Sequence, residues 1–499
     1  MTMNKSPIPA YARVAIARGP MQYDAAPPFS PATAYPEYPF GGRAPLSVTN
    51  GVYVAAREAL HLLGLDADNF GAARWNPLGG IVQPGNTVVL KPNLVRDFRE
   101  TQGGDGDCLI THGSVIRAVL DYVYIAIQGR GRIIIADAPQ NDADFEAICR
   151  IAGLREIQEF YRRTAGFKVE VLDLRPERAR KADGIIVGHE ALPGDPAGYV
   201  KVDLGRYSMF AEIEHLCHLL YGSEYDTEEL RSHHRGGRHE YLVSKTVLAA
   251  DCVINLPKLK THKKTGITVC MKNLVGINGN KNWLPHHREG TPAQGGDQFA
   301  DDRVVHRAER RMVAGFKRVF PLLGPLRRLV AKPLKAAGQC VFGDTNTDAI
   351  RSGNWYGNDT AWRMVVDLNR ILLYADADGS VHDRPVRNLF NIVDGIIGGE
   401  GNGPLDPQAK AVGAILAGVN SVAADLACAR LIGFNYRAMP LLRRSLEDHP
   451  LPLCLCGYEN IDAASAEPEF HRLLCMIEAT FPAFRPHFGW RGHIEATSR

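Results

Sequence analysis

Short runs of apolar, β-branched residues alternating with helical patterns constrain this chain most. Runs at 87–95, 132–138 and 168–174 predict strands, and the apolar spacing at 115–127 and 143–152 predicts helices. Strands separated by helices of this length form βαβ units, whose parallel sheet is covered by helices. The pattern therefore predicts an α/β fold with a mainly parallel, doubly wound sheet, helices on both faces, and one large or two intimately joined domains.

The pattern divides the chain into four parts. Residues 1–46 are rich in Pro, Ala and Tyr without periodicity, which predicts an extended N-terminal arm. An α/β domain follows over 47–302, with an irregular insertion near 183–238 where glycine, histidine and charged residues interrupt the pattern. A basic amphipathic helical segment is predicted at 303–337, and an α/β continuation with the C-terminal region at 338–499.

Composition excludes several classes of protein. A net charge of +3 over 499 residues argues against a dedicated nucleic-acid binder. No apolar run approaches the roughly 18 residues of a membrane-spanning helix, and the N-terminal residues lack the pattern of a signal peptide, so a cytoplasmic protein is expected. The ten cysteines include no C-x-x-C, so the sequence predicts no iron–sulfur cluster.

Polar residues follow four predicted strands, namely those that begin at 87 and 132 and two further apolar runs at 252–256 and 389–393. The four edges carry, in chain order, Lys91-Pro-Asn93, Asp137-Ala-Pro139, Pro257-Lys-Leu-Lys-Thr-His262 and Asp394-Gly395. Ligands of parallel sheets bind beyond the carboxyl ends of the strands, so these edges predict a site, although polar strand ends can also simply meet solvent. Lysine and asparagine suit phosphate or carboxylate groups. The residues predicted to bind such an anion are Lys91, Asn93, Lys258, Lys260, Lys272 and Asn273.

Other residues near these edges are assigned to a solvated rim or to a loop. Lys263 and Lys264 are predicted to form a solvated rim. The glycine-rich stretch 394–404 predicts a loop in which Gly398 and Gly399 bring backbone N–H groups to the ligand, the alternative being a tight bend.

Carboxylates and imidazoles near the same edge suggest chemistry. His262 is the predicted general acid or base, because imidazole exchanges protons near neutral pH, and Asp394 is predicted to be catalytic beside it. Asp137, Asp394 and Asp425 are the predicted ligands of a divalent metal ion, His286 and His287 being further imidazole candidates.

Two further segments carry unusual charge. His233, His234 and His239 stand among arginines, which predicts an exposed loop, with a metal role as the alternative. The basic amphipathic segment at 310–335 predicts peripheral contact with an anionic membrane, the alternative being that its apolar stripe packs on the body of the protein.

At these same residues the chain resembles the bacterial and archaeal proteins of domain of unknown function family 362. The resemblance extends over roughly 88–434. It rests on Lys91-Pro-Asn-Leu94, Asp137-Ala-Pro139, Asn255-Leu-Pro-Lys-Leu-Lys-Thr-His262, Met271-Lys-Asn-Leu-Val-Gly276, the stretch 394–404 and Val422-Ala-Ala-Asp425. Some relatives are fused to ferredoxin-like modules, whose cysteine run this chain lacks. The resemblance supplies no catalytic residue.

Two functions from different classes follow. The first is an enzyme that acts on a small anionic substrate (phosphorylated, carboxylated or nucleotide-linked), with or without a metal ion. The alternative is a non-catalytic protein that binds an anionic ligand or a redox partner. The expected partner is a small anionic ligand rather than a nucleic acid.

Overall fold

The computed structural model describes residues 10–99, 106–182, 185–222, 227–302, 349–478 and 480–496. The strands of these residues are, in chain order, β1 (Arg13–Arg18), β2 (Thr87–Pro92), β3 (Arg132–Asp137), β4 (Val169–Asp173), β5 (Glu177–Ala182), β6 (Ile185–Ala191), β7 (Tyr199–Asp203), β8 (Leu220–Tyr221), β9 (Glu240–Ser244), β10 (Cys252–Leu256), β11 (Lys258–His262), β12 (Gly266–Thr268), β13 (His287–Arg288), β14 (Asn388–Asn402), β15 (Asp406–Gly418), β16 (Asp462–Ala464) and β17 (Arg472–Leu473).

Eleven of these strands form one sheet. Its order is β17-β16-β1-β15-β14-β10-β2-β3-β4, and β11 and β12 extend it beside β14. The run β14-β10-β2-β3-β4 is parallel throughout, while β15 and β17 run against their neighbours. The predicted α/β fold with a mainly parallel sheet is confirmed.

Both faces of the sheet are covered, which explains why its central strands are continuously apolar. Successive side chains of a strand point to opposite faces. Val88 and Leu90 of β2 accordingly belong to one apolar core, and Val89 belongs to the other.

The α-helices are α1 (Gly51–Leu62), α2 (Gly113–Ile127), α3 (Phe145–Ile151), α4 (Leu154–Ala165), α5 (Thr227–Ser232), α6 (Lys245–Leu248), α7 (Cys270–Asn273), α8 (Ala361–Tyr374), α9 (Ser421–Leu431) and α10 (Pro440–Arg444). Residues of α1 and α2 line the first core, and residues of α8 and α9 line the second. Local sequence sets several helix starts. Asn50, for example, accepts a 3.0 Å hydrogen bond from the backbone N–H of Tyr53 and so caps α1.

Several segments differ from the sequence prediction. Part of the predicted arm, β1, lies inside the sheet between β15 and β16. The predicted insertion near 183–238 contains β6, which pairs with β5 just before it, and β7, which pairs with β9. The prediction of a glycine-rich loop at 394–404 is wrong. Its residues up to Asn402 form β14, paired with β15, because the glycines allow neighbouring groups to approach the strand closely.

The predicted basic helical segment at 303–337, including the membrane contact at 310–335, lies outside the described residues. Among the helices that the structure does describe, none has both the length and the apolar character needed to cross a membrane.

Candidate anion-binding site

A cavity of about 450 Å³ lies beyond the carboxyl ends of β2 and β3 and beside β11. We call it the lysine cavity, because its walls include the basic residues Lys260, Lys263, Lys264, Lys272, Lys281 and Arg351. The only acidic residue among the described residues that line it is Asp137. His262, His286 and His287 also line it. The cavity therefore has a large excess of basic groups, at the edge where the strand pattern predicted a site.

A buried ion pair supports the wall of the cavity. Lys91 is the next-to-last residue of β2 and Asp137 ends the neighbouring parallel strand β3, which brings Lys91 Nζ within 2.7 Å of Asp137 Oδ1. The other carboxylate oxygen of Asp137 accepts a 2.7 Å hydrogen bond from the backbone N–H of Leu94. Burial lowers the pKa of Lys91, while Asp137 opposes that shift. Lys91 is thus already paired with a carboxylate.

Asparagine side chains fix the same wall. Asn93 donates to Asn273 Oδ1 at 2.9 Å, and Asn273 donates to the backbone oxygen of Lys91 at 3.0 Å and to Asn255 Oδ1 at 2.7 Å. Both donor hydrogens of Asn273 are therefore used within the protein. Asn93 and Asn273 line the cavity as predicted, but Asn273 orients its neighbours rather than offering a free donor.

Lys260 is fully buried and has no carboxylate at ion-pair distance among the described residues. Its Nζ donates to Asn93 Oδ1 at 2.8 Å and to the backbone oxygen of Leu109 at 2.6 Å, both of which are neutral acceptors. Burial, with a smaller contribution from Lys258, lowers the pKa of Lys260 to about 7. The fold therefore buries a cation at this position without its own counter-charge.

Lys272, on α7, has neither a hydrogen-bond acceptor nor an ion-pair partner for its ammonium group within the described parts of the chain. Burial and the nearby charge of Lys91 lower its pKa to about 8, and Asp137 opposes the shift. An ammonium group normally makes up to three hydrogen bonds, so Lys272 has unused donor capacity at the cavity wall.

The ammonium groups of Lys264 and Lys281 both donate to backbone oxygens. Lys264 donates to the carbonyl oxygen of Ser352, and Lys281 donates to that of Ala138 at 2.9 Å. Burial lowers the pKa of each to about 7. Lys264 is 9% exposed, so the predicted solvated rim is wrong at this position.

His262 lines the cavity at the end of β11, and its Nδ1 accepts hydrogen bonds from the backbone N–H groups of Lys264 at 3.0 Å and Thr265 at 3.2 Å. This pattern assigns the proton of the neutral ring to Nε2. Burial, followed by the charge of Lys272, lowers the pKa of His262 well below its usual range. His262 is therefore a neutral N–H donor at the cavity wall.

Residues 204–430 match the family described as a Domain of unknown function (DUF362). This region belongs to the DUF362 family. It includes β11, α7 and most residues that line the lysine cavity, whereas Lys91, Asn93 and Asp137 precede it.

Neither the curated proteins nor the solved structures assign the chain to a further family. None of the curated proteins matches the chain. Among solved structures, a crystal structure of a protein from Thermotoga maritima is similar at 13% identity with a TM-score of 0.31. That match covers 75% of this chain and 58% of the other chain, so this chain spans less than two thirds of that protein.

Two predicted site residues of the DUF362 region form a separate cluster outside the walls of the lysine cavity. Lys258 Nζ lies 3.0 Å from Asp394 Oδ2 and also donates to the hydroxyl of Tyr23. Asp394 further accepts hydrogen bonds from Tyr23 Oη at 2.7 Å and from the backbone N–H of His112 at 2.9 Å. We call this set the Asp394 cluster. Its carboxylate is already fully bonded, which argues against the predicted catalytic role beside His262.

The three predicted metal ligands do not meet. Asp137 pairs with Lys91, and Asp394 pairs with Lys258. Asp425 accepts hydrogen bonds from the backbone N–H groups of Cys270 at 2.7 Å and Met271 at 3.1 Å, at the start of α7. Burial raises the pKa of Asp425 to about 7, against the effect of these bonds. Its role in the fold is to satisfy the first N–H groups of α7.

Glycines near the cavity let neighbouring atoms approach the backbone closely, rather than presenting their backbone N–H groups to an anion. Gly398 and Gly399 belong to β14 and do not line the cavity. A Cβ atom at Gly399 would lie 2.9 Å from Cγ of Lys260, and one at Gly398 would lie 2.5 Å from the ring of Phe484. Gly276 is the glycine next to the site, because a Cβ there would lie 2.1 Å from Asp137 Oδ1.

Sequence reasoning missed Lys281 and Arg351. Lys281 follows Asn278-Gly-Asn280, a turn-forming sequence just after the family motif that ends at Gly276, and this proximity could have marked it. No pattern around Arg351 marks it as part of the cavity.

Proposed function

We propose that the chain is an enzyme that binds a small anionic compound, phosphorylated or carboxylated, in the lysine cavity. The observation that carries this proposal is the imbalance of charge on the described part of the walls, where six lysine or arginine residues face one aspartate. A volume of about 450 Å³ suits a small molecule rather than a macromolecule. A bound anion would supply the negative charge that the buried ammonium groups lack.

Lys272 and His262 are the groups that we assign to contact with the substrate. Lys272 has unused donors, and its pKa of about 8 allows proton exchange near neutral pH. The Nε2–H of His262 offers a second donor, held in orientation by two backbone N–H groups. Because an adjacent anion favours the charged form of imidazole, substrate binding would raise the pKa of His262 and restore its predicted role as acid or base.

A divalent metal ion remains part of the proposal only as a companion of the substrate. Asp137 is the carboxylate at the cavity wall that could contact such an ion. The absence of an iron–sulfur cluster and the location in the cytoplasm stay predictions from the sequence, as does peripheral membrane contact through 310–335.

The proposal is tested by calorimetric titration of inorganic phosphate and pyrophosphate at low salt. Lys272→Met keeps the length of the side chain and removes its charge, so affinity should fall about 10- to 100-fold, the value of a charge-assisted hydrogen bond. Lys245→Met is the matched control, because Lys245 is exposed on α6 and does not line the cavity. Failure of both anions to bind, or equal affinity in both variants and the wild type, would contradict the proposal.

The competing function is non-catalytic binding of an anionic ligand or redox partner. It predicts the same affinities without proton transfer. Once a ligand is found, turnover is compared between the wild type and His262→Gln. Enzymatic action requires turnover by the wild type that falls in the variant by more than its affinity does, whereas binding without turnover supports the alternative.

A further inference from the structure

Glu214, Cys217 and His239 form a mixed cluster away from the lysine cavity. Glu214 and Cys217 lie in the 3₁₀ segment Met209–Leu219, and His239 immediately precedes β9. One ligand atom from each residue lies within 4.8 Å of those of the other two. Among the described residues this is the one group of three or more histidine, cysteine or acidic residues with such spacing.

The cluster contains buried polar atoms without hydrogen-bond partners. Within the described residues these atoms are Nδ1 and Nε2 of His239 and Oε2 of Glu214. His239 is completely buried, and its Nε2 lies 3.1 Å from Glu214 Oε2 without the alignment of a hydrogen bond. A buried polar group left unsatisfied destabilises the folded protein, so this arrangement calls for a further partner.

The surrounding backbone holds these atoms in place. The backbone N–H of His239 donates to Asp203 Oδ1 at 2.8 Å, which fixes the histidine beside β7. The backbone N–H of Gly237 donates to Glu214 Oε1 at 3.1 Å, which leaves Oε2 for another partner. Cys217 is 2% exposed, and its sulfur has one long contact, 3.7 Å to the carbonyl oxygen of Ile213.

We propose that Glu214, Cys217 and His239 bind one Zn²⁺ ion. A thiolate, an imidazole and a carboxylate are the ligand types that Zn²⁺ takes, and three protein ligands leave the fourth tetrahedral position for water. Bond lengths of about 2.0 to 2.3 Å place tetrahedral ligand atoms about 3.3 to 3.8 Å apart, so the side chains need to close by about 1 Å. The ion joins the segment Met209–Leu219 to the start of β9 and satisfies the unpartnered atoms.

The test measures the metal itself in the full chain. Protein purified without a metal-affinity tag is analysed for zinc after dialysis, and the metal-free protein is titrated with Co²⁺ under reducing conditions. We expect about one zinc per chain and a thiolate-to-cobalt charge-transfer band in the Co²⁺ spectrum. Absence of both from the wild-type protein would overturn the proposal.

Variants locate the ion. Cys217→Ala should abolish the charge-transfer band. Cys456→Ala is the matched control, because Cys454 and Cys456 are a pair of thiols elsewhere in the fold, with sulfurs 3.5 Å apart, that offers Co²⁺ an alternative site. A band that persists in Cys217→Ala and disappears in Cys456→Ala would refute this site.

Glu214→Gln allows zinc affinity to be measured without changing a buried side chain. The Glu214 side chain is 36% exposed, and glutamine has the same shape, so this variant should fold even if Cys217→Ala does not. We expect its zinc affinity to fall by at least about tenfold, since a charged ligand becomes neutral. Unchanged affinity would exclude Glu214 as a ligand and overturn the three-residue site.

Discussion

Lys258 and Lys260 lie two residues apart on β11, and both are fully buried, yet their surroundings differ. Lys258 is paired with the carboxylate of Asp394, whereas the ammonium group of Lys260 contacts only neutral oxygens among the residues that the structure describes. In the Asp394 cluster the protein balances its own charge. In the lysine cavity it leaves charge unbalanced, which favours an anion from outside. Burial of a lysine is thus no guide to its role until its counter-charge is known.

The largest loss of stability is expected when the ion pair between Lys258 and Asp394 is broken. Asp394→Asn leaves the buried Lys258 without a counter-charge, and the free energy of unfolding should fall by about 3 to 5 kcal/mol, as for other broken buried ion pairs. Urea denaturation measures the change. Asp68→Asn, which removes an exposed carboxylate, is the control and should change stability by less than about 0.5 kcal/mol.

Lys260→Met tests the other lysine of this comparison. Because Lys260 has no carboxylate partner among the described residues, its removal should not destabilise the empty protein. A loss as large as that of Asp394→Asn would mean that the two lysines are equivalent, and the distinction drawn here would be wrong.

A smaller loss of stability is expected when an added methyl group crowds the ion pair of Lys91 and Asp137. Gly276→Ala would place a methyl group against Asp137 and Lys91, so we expect a loss of about 1 to 3 kcal/mol, typical of overpacking, together with weaker phosphate binding. Gly80→Ala is the control, because a Cβ at Gly80 meets no atom within 4 Å. Equal stability and phosphate affinity of the two variants would contradict the assigned role of Gly276.

The last prediction concerns the pH dependence of stability. The pKa of Lys260 is about 7 in the folded protein and about 10.4 in an unfolded chain, so between these values the unfolded state binds more protons. The stability of the empty protein should therefore rise with pH between 7.5 and 9, by at most about 1.4 kcal/mol per pH unit for this lysine. Denaturation at both pH values should give a smaller rise for Lys260→Met or with saturating phosphate. Identical slopes would show that Lys260 does not titrate in this range.

Sequence reasoning found the strands and the edge of the sheet where the cavity lies. It succeeded at β2, β3 and β10 because strands buried on both faces must be continuously apolar, and this is a local property of the sequence. The position of the cavity then follows from parallel pairing, which brings the residues after β2 and β3 together.

The partners of the site residues could not be predicted in the same way. Lys258 and Asp394 are 136 residues apart in sequence, and nothing local distinguishes Lys258 from Lys260. The sequence around Asp425 does not distinguish a metal ligand from a helix cap. Only the structure shows that the first N–H groups of α7 donate to the carboxylate oxygens of Asp425. The prediction of an exposed histidine loop was wrong for His234 and His239, which are fully buried, because the arginines around them suggested solvent.

The position of β1 has a consequence for synthesis on the ribosome. Arg13 is bonded to Asp462, 449 residues later, and the other neighbour of β1, the strand β15, also belongs to the last hundred residues. At roughly 5 to 20 residues per second, translation separates β1 from both of its partners by about 20 to 90 s. The apolar side chains of β1 therefore stay without these partner strands during that interval, and transiently exposed surface of this kind is what chaperones bind.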